Sequence, residues 1–135
     1  MALNPYLFFK GDAREAFALY EKAFGGKIVN IVAYDDMPGG APSPEMKGKL
    51  AHICLEVNGM LLMASDEGAD NYEAPKGSRV CFTGNSADES KRVFEALAEG
   101  GQIDMPLQET PFSPCFGMLT DRYGTRWFVS TQTPE

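Results

Sequence analysis

Several residue types are scarce in this chain of 135 residues. It contains one histidine, one tryptophan and three cysteines, and Cys54, Cys81 and Cys115 lie far apart with no C-x-x-C spacing. That pattern argues against a disulfide framework and against a cysteine-based zinc site. It predicts reduced thiols in a cytoplasmic protein.

Long apolar runs and an excess of basic charge are also lacking. No stretch approaches the roughly 20 apolar residues of a membrane helix, and the first residues do not have the pattern of a signal peptide. Twelve basic and nineteen acidic residues give a net charge of −7, which opposes binding to nucleic acid or to anionic lipid. Phosphate-loop, H-E-x-x-H and G-x-S-x-G motifs are absent, as is a glycine-rich loop after a strand that would cradle a nucleotide cofactor. We therefore expect no cofactor, no nucleic-acid partner and no membrane.

One helical pattern is present twice. "GDAREAFALYEKAFGG" and "NSADESKRVFEALAEGG" each contain a polar N-cap residue, a glutamate three positions later, an apolar stripe at helical spacing and a terminating glycine pair. Asp12 with Glu15, and Ser86 with Glu89, are the predicted capping boxes. Strand patterns flank each helix, at 5–9, 27–34, 50–57 and 60–65 in the first half and at 78–83, 102–109, 114–120 and 125–130 in the second. The order strand-helix-strand-strand-strand therefore occurs twice.

Hairpin pairing predicts which side chains share a sheet face. A two-residue turn at Asn58-Gly59 sets an apolar group (Ile53, Leu55, Val57, Met60, Leu62 and Ala64) against the helix. The other face carries His52 with Ser65, Cys54 with Met63, and Glu56 with Leu61. The same spacing applied to the second hairpin predicts Gly117, Leu119, Arg126, Phe128 and Ser130 on a similarly mixed face, and Met118, Trp127 and Val129 against the helix.

The chain resembles the PhnB-like branch of the vicinal-oxygen-chelate superfamily. The resemblance is carried by the helical segments quoted above together with "MLLMASDE", "LAEGGQIDMPLQET" and "FGMLTDRYGTRWFVST". That superfamily contains glyoxalase I, extradiol dioxygenases and the bleomycin and fosfomycin resistance proteins. The resemblance covers the whole chain and implies an α+β fold of two tandem βαβββ modules, a curved mixed sheet with the helices outside, and a homodimer. The modules are expected at about 1–66 and 78–131 within one domain over 1–135, joined by a hinge at about 67–77.

The superfamily's chemistry depends on a metal held by His and Glu on the strands that face the cup, and in glyoxalase I these ligands lie on the first and last strands of each module. Carried over by this resemblance, the four ligand positions fall at or near Pro5, Met63, Ser78 and Phe128. Only Ser78 offers an oxygen donor, whereas divalent metals need imidazole and carboxylate ligands. We therefore expect no metal site of the family type.

Seven residues are the candidate ligand-binding set: His52, Cys54, Met63, Gln108, Phe112, Arg126 and Phe128. His52 is interpreted as a ligand contact, as part of a relocated metal site with Cys54 and Glu56, or as a polar group that only lines the sheet. Arg126 either pairs with Asp121 across the second turn or binds an anion. Met63, Phe112 and Phe128 are suited to form an apolar floor of the binding site. Gln108 is suited to contact the ligand at its rim.

The favoured function is metal-independent binding of an aromatic or amphipathic small molecule in the cup formed by the sheet. The alternative is a lyase, isomerase or dioxygenase of the same superfamily with a displaced metal or with His52 as acid and base. An interaction module is a third possibility. The loop at 35–48, with three prolines and three glycines, is interpreted either as a lid or as a surface connection.

Overall fold

The structure is a computed structural model that describes residues 1–133. Every predicted strand and both predicted helices are present, with ends within two residues of those expected. The first half contains β1 (Tyr6–Phe9), α1 (Ala13–Phe24), β2 (Lys27–Ala33), β3 (Leu50–Val57) and β4 (Met60–Asp66). The second contains β5 (Val80–Gly84), α2 (Ala87–Ala98), β6 (Gln102–Thr110), β7 (Ser113–Thr120) and β8 (Arg126–Thr131).

The chain divides into two compact units, with the boundary between Glu73 and Ala74. Each unit has a four-stranded mixed sheet, in the order β1-β4-β3-β2 in the first and β5-β8-β7-β6 in the second. The first and last strands of each unit pair in parallel, and the other neighbours are antiparallel. This is the α+β, doubled βαβββ architecture that the repeat predicts.

Each helix covers one face of the sheet in its own unit. Phe17 and Tyr20 of α1 are fully buried and lie with their rings 6.3 and 6.5 Å from that of Phe9 on β1. Burial of a side chain of this size stabilises the fold by about 2–3 kcal/mol. In the second unit, Val93, Phe94 and Leu97 of α2 form the corresponding buried stripe. The opposite face of each sheet, turned away from the helix, is called the distal face below.

The predicted capping box at the start of α1 is wrong. Asp12 makes no side-chain cap hydrogen bond, and its Oδ1 is buried without a partner among the described residues. Asp66, at the end of β4, accepts instead from the backbone N–H groups of Gly11 and Ala13 at 3.1 and 2.9 Å. A carboxylate from a distant strand thus satisfies the amide groups that a helix leaves free at its first turn.

The other helix ends agree with the prediction. Ser86 Oγ accepts from the backbone N–H of Glu89 at 3.1 Å, and the Glu89 carboxylate accepts from the N–H of Asn85 at 2.9 Å. Gly25 ends α1 in the left-handed conformation, where a side chain would be strained. Neither helix, nor any other within residues 1–133, has the length and apolar character needed to cross a membrane.

The first hairpin has the predicted register. Val57 lies opposite Met60, Leu55 opposite Leu62, and Cys54 opposite Met63. Both turn residues, Asn58 and Gly59, have positive φ, as this tight turn requires. Ile53, Leu55, Leu62 and Ala64 are buried on the helix side, so the predicted apolar face is confirmed there.

The predicted register of the second hairpin is wrong by one residue on β7. Thr120 pairs with Arg126 and Leu119 with Trp127, because the loop between the strands has five residues, 121–125. A one-residue slip turns every side chain of a strand to the other face. Gly117 and Leu119 therefore face α2, and Met118 lies on the distal face, opposite to the prediction. The expected faces of Arg126, Trp127, Phe128 and Val129 are correct.

Candidate functional site

The distal face of the first sheet carries three of the seven predicted residues. His52 and Cys54 project from β3, and Met63 from β4 opposite Cys54. Tyr6 lies beside Met63 on the neighbouring parallel strand β1. Aromatic, thioether, thiol and imidazole groups thus share one surface.

His52 has a partner that the sequence did not reveal. Its Nδ1 lies 3.1 Å from the hydroxyl of Tyr6, and the two rings are 5.8 Å apart at 32°. Phe8 extends the cluster, with its ring 5.3 Å from that of Tyr6. The alternation within 5–9 places Tyr6 and Phe8 on one face, but only the parallel pairing of β1 with β4 brings them to His52.

Cys54 is the most buried of the three. Its side chain is 5% exposed, and burial, followed by the neighbouring charge of Glu56, raises the pKa of its thiol. A raised pKa keeps the thiol protonated at neutral pH, and the nucleophile would be the thiolate. Cys54 therefore has the character of a lining residue and not of a reactive cysteine.

The distal face of the second unit carries an aromatic cluster. Phe116 is buried and lies between Phe128 and Phe112, with ring centres at 4.5 and 5.0 Å. Gln108 of β6 is paired with Phe116, so three predicted residues meet around one that was not predicted. Phe112 is 60% exposed, which leaves one side of the cluster open to a ligand.

Polar groups occupy one end of this second distal face. Arg79 donates to Asp104 at 3.0 Å, and Thr120 and Gln102 also donate to that carboxylate. Burial alone would raise the pKa of Asp104, but these three hydrogen bonds outweigh it, and the pKa is lowered.

Arg126 projects beside Thr120 and donates to the carbonyl oxygen of Ser78 at 3.4 Å, a long bond to a neutral acceptor. Asp121, the partner considered for Arg126, is buried and bonded to Trp127 Nε1 at 2.9 Å and to the amides of Tyr123 and Thr125.

A separate cleft of about 380 Å³ lies in the first unit, between the loop after β2 and residues 67–71. Tyr34, Met46 and the carboxylates of Glu45, Glu67 and Asp70 are among its lining residues. Tyr34 donates to the backbone carbonyl of Asp66 at 2.7 Å, and burial raises the pKa of its phenol. None of the seven predicted ligand-binding residues lines this cleft.

The residues at the family's metal positions do not fit a divalent cation. Pro5 and Met63 are neighbours, joined by the Met63 N–H and the Pro5 carbonyl at 3.3 Å, but neither side chain offers oxygen or imidazole. Within residues 1–133, no group of three or more His, Cys, Asp or Glu side chains is arranged to hold a metal ion. The donors that Mn²⁺ or Zn²⁺ requires are not assembled there.

Two tandem βαβββ units are the fold of the glyoxalase and fosfomycin-resistance superfamily. The fosfomycin resistance protein FosX from Listeria monocytogenes has this fold at 12% identity, with a TM-score of 0.66 over 98% of this chain and 93% of its own. At that identity the likeness concerns the fold alone.

The family model described as 3-demethylubiquinone-9 3-methyltransferase matches residues 1–130, and the chain belongs to this PhnB-like family of the vicinal-oxygen-chelate superfamily. Protein PA1353 from Pseudomonas aeruginosa is similar at 38% identity, with a TM-score of 0.91 over 99% of both chains. The PhnB protein from Bacillus cereus follows at 31% identity and a TM-score of 0.82, over 98% of this chain and 100% of its own. Protein YjdN of Escherichia coli is 30% identical over 96% of this chain and 95% of its own. Membership establishes the family and the fold, and one fold supports many activities.

Proposed function

We propose that this protein binds a small aromatic or amphipathic molecule, without a metal ion, on the distal faces of its sheets. The observation that carries the proposal is the composition of those faces. Exposed rings and half-buried thioethers share those faces with single hydrogen-bonding groups, as in ligand pockets. A surface that served only to complete the core would not need His52, Gln108 and Arg126 among its apolar residues.

Each of the seven residues has a role in this proposal. Met63 and Phe128 supply apolar contact area, Phe112 an exposed ring, and Cys54 a protonated thiol that lines the surface. On the distal face of the first unit, His52, held by Tyr6, presents its remaining ring nitrogen for a hydrogen bond. On the distal face of the second unit, Gln108 and Arg126 orient the polar part of a ligand bound there.

The experiment is a thermal-shift screen of the purified protein against aromatic antibiotics and aromatic metabolites, followed by calorimetry on the compounds that bind. We expect at least one compound whose binding weakens about tenfold or more in His52→Ala or Phe128→Ala, because each removes a central contact on the distal face of its own unit. Ile103→Ala is the matched control, since Ile103 is an exposed apolar residue of β6 opposite Leu119, on the helix side.

Two results would contradict the proposal. One is the absence of any ligand for the wild-type protein across the screen. The other is a ligand whose affinity is unchanged in both variants. Far-UV circular dichroism of each variant separates a lost contact from a lost fold.

A second candidate function is supported by one observation, the bond between Tyr6 and His52. An imidazole held by a phenol is a suitable acid–base pair, so we propose as the alternative a cofactor-free lyase or isomerase that uses His52. Elemental analysis of untagged protein tests the related hypothesis of a displaced metal. A stoichiometric metal that is lost in His52→Ala would favour a metal-dependent enzyme over both the cofactor-free enzyme and the binding protein.

The methyl transfer in the family's description is not favoured by these residues. A nucleotide-type methyl donor is commonly held by a glycine-rich loop between a strand and a helix. The start of α1 is instead satisfied by Asp66, and that of α2 by Ser86 and Glu89. A cytoplasmic homodimer is part of our proposal, and light scattering of the purified protein tests the dimer.

A further inference from the structure

The second distal face has a polar end and an aromatic end. Arg126 stands at the start of β8 beside Thr120, and Phe128 follows two positions later opposite Met118. Side chains two apart on a strand point to the same face about 6.6 Å from one another. Beyond Phe128 lie Phe116 and the exposed Phe112. A cation and an aromatic platform are therefore adjacent on one surface.

The cation that remains available at this end is Arg126. Arg79 is engaged with Asp104 in the ion pair at 3.0 Å, and its guanidinium also reaches the carbonyl oxygens of Leu119 and Trp127. Those two opposite charges cancel. Among residues 1–133, the guanidinium of Arg126 has a single hydrogen bond, the long one to the Ser78 carbonyl, which an acidic group would readily replace. In a chain with a net charge of −7, this is a local site of positive charge.

We infer that the ligand of the second distal face is an aromatic acid, whose anionic group binds Arg126 and whose ring packs on Phe128 and Phe112. The inference rests on the proposed function and narrows its ligand to one chemical class. An anionic group complements the positive charge of Arg126. A neutral ring compound would leave the guanidinium without a counter-ion, and a cationic one would be repelled by it. The ring must be planar, because it adds to an edge-to-face stack whose outer member is exposed.

The test compares 2-naphthoate with 2-naphthamide, which has nearly the same shape and no charge, by isothermal calorimetry or ligand-observed NMR. We expect wild-type protein to bind the acid about tenfold more tightly than the amide. Arg126→Gln should remove that preference and leave the amide unaffected, while Arg126→Lys should retain part of it. Phe128→Leu should weaken both probes equally.

Lys91→Gln is the matched control, because it removes one positive charge from the exposed side of α2, away from the distal face. It should leave the acid-to-amide ratio unchanged. Equal binding of the two probes to the wild type, or a ratio that Arg126→Gln leaves intact, would overturn the inference while the binding function stands. Failure of both probes and of the whole aromatic screen would overturn the proposed function as well. Because Arg126 is only partly buried and has a single long bond, the folded state should survive its substitution.

Discussion

The carboxylate of Asp66 joins three parts of the first unit although its side chain is almost fully buried. One oxygen accepts from the first amides of α1, and the other accepts from the N–H of Leu50 at the start of β3 at 2.9 Å. Three backbone N–H donors compensate the cost of removing this charge from water. The corresponding position of the second unit is Thr131, whose hydroxyl donates to Ser90 at 2.7 Å. A pattern-based prediction chose Asp12 as the cap because capping rules are local, whereas Asp66 comes from a strand 53 positions away from the amide of Ala13.

Asp12 should lower the stability of the fold at neutral pH. Burial raises its pKa above the ordinary 3.8, and the neighbouring charge of Asp66 adds to the effect. The folded state then holds the proton more tightly than the unfolded state, so ionisation of Asp12 opposes folding as the pH rises through 3.8. Below that pH both states are protonated and the effect disappears. Asp12→Asn should therefore gain stability relative to the wild type as the pH is raised from about 3 to 7.

Urea unfolding of both proteins across that pH range is the measurement. Asp36→Asn, at an exposed position in the loop after β2, is the matched control and should show no such rise. A difference between Asp12→Asn and wild type that is constant with pH, or that falls as the pH rises, would contradict the assignment.

The elements themselves were predictable because their signals are local. The helices are defined by the spacing of their apolar residues, by the capping box of Ser86 with Glu89 and by the glycine pairs. The first hairpin is defined within a few residues by Asn58-Gly59. The register of β7 was not predictable by analogy with the first hairpin, because it depends on loop length. In the second loop Asp121 binds the amides of Tyr123 and Thr125 and builds a five-residue turn. This loop is three residues longer than the two-residue turn of the first hairpin, and an odd difference in length exchanges the faces of Leu119 and Met118.

Asp121 should therefore maintain the register of β7 and β8. In Asp121→Asn, Oδ1 can still accept from the turn amides, but the new NH₂ group faces the indole N–H of Trp127, so the hydrogen bond between these two side chains is lost. We expect a loss of about 2 kcal/mol in unfolding free energy. Trp127 is the single tryptophan, so its fluorescence in urea reports directly on this hairpin. Glu109→Gln, at an exposed position of β6, should cost almost nothing, and an equal loss in both variants would contradict the role of Asp121.

On the scale of the whole molecule, the repeat predicts the two units but only part of the candidate site. His52, Met63 and Phe128 were identified because hairpin pairing fixes their face. Tyr6 was missed because a parallel partner is not specified by any turn. Phe116 was missed because the assumed register turned β7 over, and its role depends on a contact with Phe128 across the strands. Local patterns therefore predicted the sheet faces of these three candidate residues, whereas the residues recruited by tertiary pairing were not predicted.

The segment 67–77, which we propose as the connection between the modules, should be the first site of tryptic cleavage. Residues 73–78 are exposed and belong to no helix or strand, so the backbone at Lys76 can enter a protease cleft with little unfolding. Lys10, Lys47 and Arg122 are competing exposed sites outside the helices and strands. The bond after each is restrained, because the N–H of Gly11 donates to Asp66, that of Gly48 to Asp35 and that of Tyr123 to Asp121.

Brief digestion followed by intact-mass measurement should therefore yield fragments that end at Lys76 and begin at Gly77. Lys76→Gln should slow the first cut about tenfold or more, since cleavage elsewhere requires local unfolding that is populated only rarely. Lys47→Gln should leave the rate almost unchanged. A first cut after Lys47, or within α1 or α2, would show that the connection is better protected than its exposure implies, and the proposed boundary between the modules would have to move.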